Sequence, residues 1–242
     1  MAGATPRHGL ARALSKRGVC SRTQATEWIR AGRVSVDGRI VRDPEFPTVA
    51  GRHRIAVDGR DIDAPTQRLH LMLNKPRGLV TTARDERDRD TVYRCFDGAG
   101  LPWVAPVGRL DKASEGLLLF SNDPAWAARI TDPGTGPDKR YHVQVDRLPD
   151  AAMLATLQAG LEIEGERFHA KSASVLRSGE RTAWLDIVLD EGRNRQIRRM
   201  LAALDIDVLR LVRVAIGPLE LGALAKGAWR ALTDDEVAAL GG

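Results

Sequence analysis

The feature that most restricts the fold is a succession of short strand-like runs after residue 68, with helical stretches between only some of them. Helical periodicity occurs at 124–131, 150–159, 194–204 and 233–240. The strand-like runs are LHLMLNKPRGLVTT, WVAPV, GLLLFS, RYHVQVD, FHAKSASVL, TAWLDIVL, DVLRLVRVAI and GAWRAL. Because strands outnumber helices and do not alternate strictly with them, the pattern predicts an α+β domain built on a mostly antiparallel mixed sheet with flanking helices.

The first quarter of the chain follows a different plan. A first short helix ends at Gly18, and a second begins at Ser21, where Gln24 completes a capping-box pattern. The run VSVDGRIV then alternates around Asp37 and Gly38, a strong signal for a β-hairpin. The sequence therefore predicts a small N-terminal domain of helices and hairpins.

The positive charge of the chain is concentrated in this first quarter. Residues 1–65 hold 12 Lys+Arg and 7 Asp+Glu, a net charge of +5, whereas residues 66–242 hold 25 of each. Arginine forks bind phosphate and stack on bases, so a nucleic-acid surface and an ordinary solvated basic face are both compatible with the pattern. The basic residues that flank the two helices and the hairpin turn are Arg12, Lys16, Arg17, Arg22, Arg30, Arg33 and Arg39.

Several protein classes are disfavoured by what the sequence lacks. No apolar run approaches the ~20 residues of a membrane span, and the basic N-terminus has no apolar signal core, so we expect a cytoplasmic protein. Cys20 and Cys95 are far apart and show no disulfide or metal-site spacing. With no metal-ligand motif and no cofactor motif, we expect neither a metal nor a cofactor.

A charged residue next to an apolar run marks one candidate site. In VGRLDKASEGLLLFSND, Asp111 lies between Gly108 and Gly116, directly before the run LLLF. Alone, such an aspartate is most simply a turn residue that bonds its own loop. At the mouth of a sheet it would instead be a partly desolvated carboxylate that needs a cation nearby.

Two further segments combine apolar and polar faces. In DEGRNRQIRRMLAAL, helical spacing puts Arg195, Arg198 and Arg199 on one side, opposite the apolar residues, which suits a solvated face or the binding of phosphate or carboxylate. In DKRYHVQVD, Tyr141 shares a strand face with Val143, as a packing aromatic would.

The N-terminal segment resembles a known RNA-binding module. ARALSKRGVCSRTQATEWIRAGRVSVDGRIVRDP is similar to the domain first named in ribosomal protein S-four, over residues 7–63. The resemblance implies binding of structured RNA, largely through phosphate contacts. Residues 63–68, DAPTQR, are polar and contain proline, so we expect a mobile linker followed by a second domain at 68–242.

The second domain resembles the pseudouridine synthases that act on ribosomal RNA. Four ordered motifs carry the likeness: NKPRGLVTT, PVGRLDKASEGLLLFSND, KRYHVQV and EGRNRQIRRML. The family implies that Asp111 is the catalytic aspartate, acting as nucleophile at the ribose or as the initiating base, that Tyr141 packs against a flipped base, and that Arg198 pairs with Asp111. It also implies that Arg109 fills the gap left by the uridine.

Contacts to substrate RNA are further expected from Asn74 and Lys75 in the first motif, and from Arg195 and Arg199 in the last. Ribosomal RNA, free or in a pre-ribosomal particle, is the expected partner of a monomeric enzyme, with large-subunit RNA preferred. The sequence departs from the family pattern at Ser114, Phe120 and Pro124, where threonine, leucine and glycine are usual. These departures leave only the local loop geometry open.

The sequence is also compatible with two other functions. A non-catalytic RNA-binding or ribosome-assembly protein could keep the same fold. A glycosidase could use Asp111 and Glu115 as paired carboxylates. Such pairs stand ~5–9 Å apart, and two residues four positions apart in a loop need not meet that distance. The basic N-terminal module would also have no role in such an enzyme.

Overall fold

The computed structural model describes residues 7–49, 51–62, 67–82 and 89–241. By its internal contacts the chain divides into two compact units: residues 1–70, 98–105 and 121–125, and residues 71–97, 106–120 and 126–242. Most of the expected linker, residues 63–66, lies outside the described residues. The domain limits at 63 and 68 and the mobility of the linker stay predictions.

The first unit has the helices and hairpins expected of it. Asp37 and Gly38 both have positive φ, 50° and 79°, as a tight hairpin turn requires, and the hairpin they close is confirmed. The elements are β1 (Arg7–Gly9), α1 (Leu10–Lys16), α2 (Arg22–Arg30), β2 (Val34–Val36), β3 (Arg39–Ile40), β4 (Pro47–Val49), β5 (Ile55–Val57) and β6 (Arg60–Asp61). Leu10, Leu14 and Ile29 pack with residues of the sheet β3-β2-β5-β6 to form its core.

The start of α2 offers a first test of the fold. Ser21 caps the helix, because its hydroxyl accepts a hydrogen bond from the Gln24 amide at 3.1 Å. Ser21→Ala leaves that amide without its partner, so we expect a loss of about 1 kcal/mol in the free energy of unfolding of this unit. Urea unfolding followed by circular dichroism measures the change. Thr23→Ala serves as the control, because Thr23 is exposed and lies in the first turn of the same helix.

The second unit is built around one large sheet. Its elements are β7 (His70–Lys75), a 3₁₀ helix (Val92–Phe96), β8 (Ala105–Val107), β9 (Glu115–Ser121), α3 (Pro124–Thr131), β10 (Lys139–Val145), α4 (Ala151–Ala159), β11 (Leu161–Ile163), β12 (Glu166–Phe168), β13 (Ser172–Ser178), β14 (Ala183–Leu189), α5 (Gln196–Ala202), β15 (Val208–Ile216), β16 (Leu219–Glu220), β17 (Trp229–Ala231) and α6 (Asp234–Gly241). All four helices predicted by periodicity are present, although α5 is shorter than expected.

The sheet has the order β13-β14-β10-β15-β9-β7-β17, with β8 beside β9 and β16 beside β15. Strands β13, β14, β10 and β15 pair antiparallel, as do β7 and β17, whereas β9 runs parallel to β15. The predicted α+β class with a mostly antiparallel mixed sheet is therefore confirmed. Within the described residues, no helix has both the length and the apolar character that a membrane crossing requires.

The parallel junction of β9 and β15 positions the segment that carries Asp111. Every residue of β9 is buried, and Gly116 lies opposite Arg213 with φ of 100°. A β-carbon at Gly116 would lie 2.3 Å from the Arg213 carbonyl oxygen, so only glycine permits this close approach. The buried run LLLF thus anchors the loop before it to the centre of the sheet.

Candidate active site

Asp111 lies in the loop that joins β8 to β9. The loop turns back on itself through a hydrogen bond from the Ser114 amide to the Asp111 carbonyl oxygen, 3.0 Å. It is also tied to the preceding segment, since the Thr81 hydroxyl donates to the Leu110 carbonyl at 2.7 Å. The Asp111 side chain remains about 30% exposed. The carboxylate is thus held on an ordered loop and still open to a ligand.

The Lys75 side chain binds backbone carbonyl groups of this loop. Its ammonium is fully buried and donates to the carbonyl oxygens of Pro76 at 3.1 Å, Asp111 at 3.1 Å and Ser114 at 2.8 Å. Burial lowers the pKa of Lys75 to about 8, although the carboxylates of Asp111 and Glu115 act in the opposite direction. At neutral pH the lysine is therefore charged, with three N–H donors for three carbonyl acceptors.

A cleft of about 580 Å³ opens beside the loop. The cleft is lined together by Asp111, Tyr141, Arg195, Arg198 and Arg109, although they come from three separate stretches of the chain. The remaining lining residues are Val107, Gly108, Leu110, Ser114, Ile130, Thr131, Asp132, Pro133, Lys139, Leu189, Glu191, Gly192, Arg193, Asn194, Gln196, Ile197, Leu211, Arg213 and Ile216. Three of the four sequence motifs therefore contribute residues to one concave site, and the first motif, NKPRGLVTT, does not.

Arg195 provides the ion pair to Asp111. One guanidinium nitrogen of Arg195 lies 3.6 Å from the Asp111 carboxylate. Arg195 precedes α5 in a left-handed conformation, with φ of 51° and ψ of 30°. Such a conformation costs a non-glycine residue about 1–3 kcal/mol, and residues held in it cluster at active sites and ligand-binding sites.

Arg198 plays a different part from the one predicted. Its guanidinium donates to the carbonyl oxygens of Ala113 at 3.2 Å and Val208 at 3.3 Å, so it joins the Asp111 loop to the start of β15. Burial, followed by repulsion from Arg195, lowers the pKa of Arg198, while Asp111 attracts its charge from a longer distance. The prediction of a direct Arg198–Asp111 pair is therefore corrected, because Arg195 occupies that position.

Tyr141 lies on β10 with its side chain on the buried face, 8% exposed. It stands between Ile187 of β14 and Arg213 of β15 and lines the cleft. The alternation that placed Tyr141 with Val143 on one face is confirmed. An aromatic ring in this position can pack against a planar ligand that enters the cleft.

Three of the predicted RNA contacts point elsewhere. The Asn74 amide donates to the Leu224 carbonyl at 2.8 Å, and Lys75 is buried under the loop. Arg199 binds Glu164 at 2.7 Å and stacks 4.3 Å from the Phe168 ring centroid, away from the cleft lining. These residues hold the protein together rather than face a substrate. Arg109 is exposed at the cleft, and its role stays a prediction.

Among the cleft residues that sequence reasoning missed are two basic residues on strands. Lys139 precedes Tyr141 by two residues on β10, so strand alternation alone could have placed both on one face. Arg213 is only 5% exposed, on the otherwise apolar inner face of β15. An arginine at a position where the strand pattern predicts a buried apolar residue could have identified Arg213 as a candidate site residue.

Glu115 does not serve as a second catalytic carboxylate. It is 3% exposed and accepts hydrogen bonds from Arg210 at 3.1 Å and from Lys226. Burial disfavours its charge, but these bonds outweigh burial and lower the pKa of Glu115. Since Glu115 does not line the cleft, the glycosidase alternative loses its acid–base pair.

The predicted RNA-binding residues of the first unit are mostly available to solvent. Only Arg17 is half-buried. Arg22 binds Glu45 at 3.2 Å, and Arg33 binds Asp58 while its guanidinium carbon lies 5.0 Å from the Trp28 ring centroid. An exposed single contact such as Arg22–Glu45 contributes little to stability, whereas Arg33 binds both oxygens of Asp58. Contacts from the exposed members, Arg12, Lys16, Arg22, Arg30, Arg33 and Arg39, stay a prediction.

The Asp111–Arg195 pair allows a direct test. Arg195→Gln removes the cation while keeping a polar side chain. We expect turnover per folded molecule to fall roughly 10- to 100-fold, less than for a buried donor, because Arg195 is half exposed. Arg199→Gln is the matched control. Arg199 does not line the cleft, so turnover per folded molecule should change by less than about twofold even where the lost contacts lower stability. Equal losses in both variants would contradict a specific role for Arg195.

Comparison with known proteins agrees with this architecture. The model of the RNA pseudouridylate synthase family matches residues 69–203, and that of the S4 domain matches residues 9–51. The chain is 34% identical to the Bacillus subtilis ribosomal large subunit pseudouridine synthase B, over 94% of this chain and 93% of the relative. It is 35% identical to an uncharacterized RNA pseudouridine synthase of Rickettsia prowazekii, over 93% and 94%.

A solved structure of a pseudouridylate synthase superimposes with a TM-score of 0.65 at 30% identity, covering 96% of this chain and 99% of the other. Family match, relatives and fold agree over nearly the whole length. With its S4 domain and its converging cleft, the chain belongs to the RNA pseudouridylate synthase family.

Proposed function

We propose that this enzyme converts one uridine of large-subunit ribosomal RNA into pseudouridine in the cytoplasm, acting as a monomer without a cofactor. The observation that carries the proposal is the Asp111 carboxylate, paired with Arg195 and facing the same cleft as Tyr141. The large-subunit target is supported by the likeness to the Bacillus subtilis relative, whose name gives that subunit.

The reaction requires the target base to leave its stack. A stacked uridine cannot reach a carboxylate inside a cleft, so it must be flipped out at a cost of a few kcal/mol. Tyr141 is buried beside the cleft and can pack against the flipped base. Arg109, exposed at the cleft, would occupy the space that the uridine leaves in the RNA. The basic residues of the S4 domain would add phosphate contacts.

Asp111 then promotes cleavage of the bond between uracil N1 and ribose C1′. It does so as nucleophile at the ribose or as the base that initiates cleavage. The base rotates within the cleft and is rejoined through C5. No group is gained or lost and no electrons are exchanged with another reactant, because uridine and pseudouridine are isomers. Arg195, 3.6 Å from the carboxylate, places a positive charge beside it for this step.

A modification map tests this function and its main rival. Ribosomal RNA from a strain that lacks the gene is treated with a carbodiimide, which marks pseudouridine, and compared with RNA from the parent strain. We expect one site in the large-subunit RNA to lose its mark and to regain it when the gene is restored. An unchanged map would favour a non-catalytic ribosome-assembly protein. A site lost from another RNA would mean that this other RNA, and not large-subunit ribosomal RNA, is the substrate.

A further inference from the structure

Two basic side chains, Lys139 and Arg213, line the cleft next to Tyr141 in the sheet. Arg213 of β15 stands opposite Tyr141 of β10 in the sheet register. Lys139 precedes Tyr141 by two residues on the same strand, so their side chains point to the same face. Both basic residues line the cleft that holds Asp111. We call Lys139 and Arg213 the inner cations.

The inner cations have donors that the protein does not use. The Nε of Arg213 donates to the Leu117 carbonyl at 2.7 Å, but one terminal nitrogen is buried without a hydrogen-bond partner in the described part of the chain. Among the described residues none accepts a hydrogen bond from the half-buried Lys139 ammonium. For the buried Arg213 nitrogen, the lack of a partner costs about 1–3 kcal/mol. Such a cost calls for an explanation, and a ligand that supplies acceptors provides one.

The surroundings of Lys139 favour an anion over a neutral ligand. Burial and then repulsion from Arg213 lower the pKa of Lys139, against a smaller attraction from Asp138 and Asp190. A negative charge placed between the inner cations would relieve both effects. Because the site is partly shielded from water, such an interaction is stronger here than at the surface.

We propose that Lys139 and Arg213 bind the carbonyl oxygens of the flipped uracil and stabilise its negative charge while it is detached from the ribose. This inference rests on the proposed function. When the N1–C1′ bond breaks, its electron pair stays with N1, and the charge spreads over the ring to the carbonyl oxygens. After rotation, C5 bonds to C1′, the C5 proton leaves, and N1 takes up a proton, so the atoms balance without another reactant.

Depth in the cleft separates this role from phosphate binding. Arg109, Arg193 and Arg195 are exposed at the cleft, where the RNA backbone would pass. Arg213, in contrast, is 95% shielded from solvent and borders the nearly buried Tyr141. A ribose-linked base can reach that depth, whereas the charged backbone would have to leave water. The inner cations therefore suit the base, and the outer arginines suit the phosphates.

The test separates chemistry from binding. The substrate is a short transcript that carries the uridine identified by the modification map, with enzyme in excess so that a single turnover is measured. We expect Lys139→Met to slow pseudouridine formation about 10²-fold, as for loss of one preorganised donor, while the Kd for the transcript is little changed. Lys139→Arg should recover much of the rate because it restores the charge. Lys112→Met is the control, since Lys112 is exposed, adjacent to Asp111 and outside the cleft lining.

A second substrate tests the charge itself. Fluorine at C5 withdraws electrons and stabilises the detached uracil anion, so 5-fluorouridine in the transcript should depend less on the inner cations. Loss of N-linked 5-fluorouridine is followed by mass spectrometry after nuclease digestion. We expect the penalty of Lys139→Met to shrink several-fold on this RNA. Equal penalties on both RNAs would overturn the stabilisation of an anion.

The remaining outcomes are also decisive. A weaker Kd with an unchanged single-turnover rate would make Lys139 a phosphate contact and overturn the proposal. A wild-type rate in Lys139→Met would do the same. If the modification map showed no lost site in any RNA, the proposed function would fail instead. Circular dichroism checks the fold of each variant, and Lys139→Gln replaces Lys139→Met if the latter does not fold.

Discussion

The Asp111→Asn variant is expected to bind its RNA and to form no detectable pseudouridine. The substitution keeps the size of the side chain but removes the negative charge and the nucleophilic oxygen. Acid–base catalysis alone typically contributes 10²–10⁴ in rate, so a loss of at least about 10³-fold is expected. The measurement is pseudouridine released from a digested transcript under single-turnover conditions, with the Kd measured separately by filter binding.

The fold should tolerate this change. The Asp111 side chain is about 30% exposed, and its ion pair with Arg195 at 3.6 Å is half exposed, so the pair adds little to stability. The loop is held by the Asp111 carbonyl, which accepts from Ser114 and Lys75 and is unaffected by the substitution. Wild-type turnover in Asp111→Asn would refute the role of Asp111, whereas lost RNA binding would point to a structural one.

The secondary structure was accessible from local patterns. Strand alternation, helix periodicity and turn residues are properties of short segments, and the hairpin at Asp37-Gly38 and all the predicted helices of the second unit followed from them. The position of Asp111 was not accessible in this way, because an isolated aspartate between glycines is most simply a turn residue. Its convergence with Tyr141 and Arg195 depends on sheet order, and sheet order depends on contacts distant in sequence.

The choice between Arg195 and Arg198 shows a second limit. Helical spacing puts both on one side of α5, so the pattern cannot say which one meets Asp111. The left-handed backbone of Arg195 decides it, with φ of 51°, and non-glycine residues adopt that conformation too rarely to be expected. Lys75 was misassigned for a similar reason: a lysine at a strand end is normally exposed, and nothing local reveals that three carbonyl oxygens converge on it.

Lys75→Met is the change expected to have the largest effect on stability. It leaves the carbonyl oxygens of Pro76, Asp111 and Ser114 without their shared donor. Each unsatisfied buried acceptor costs about 1–3 kcal/mol, and some rehydration is expected, so the free energy of unfolding should fall by about 2–5 kcal/mol. Displacement of the loop by about 1 Å would also cost roughly 10²-fold in turnover. Urea unfolding and single-turnover assays measure the two effects.

The pH dependence distinguishes this role from mere side-chain packing. The pKa of Lys75 is about 8 in the folded protein, below its ordinary value of 10.5, so between these values the unfolded chain binds more protons than the folded one. The contribution of Lys75 to stability therefore rises with pH in that window, by at most about 1.4 kcal/mol per pH unit. The gap in unfolding free energy between wild type and Lys75→Met should widen accordingly. Lys112→Met, whose lysine is exposed, should show no such trend. A gap that does not change with pH would mean that burial does not lower the pKa of Lys75, and a gap that narrows as the pH rises would mean that the folded protein favours the charged form.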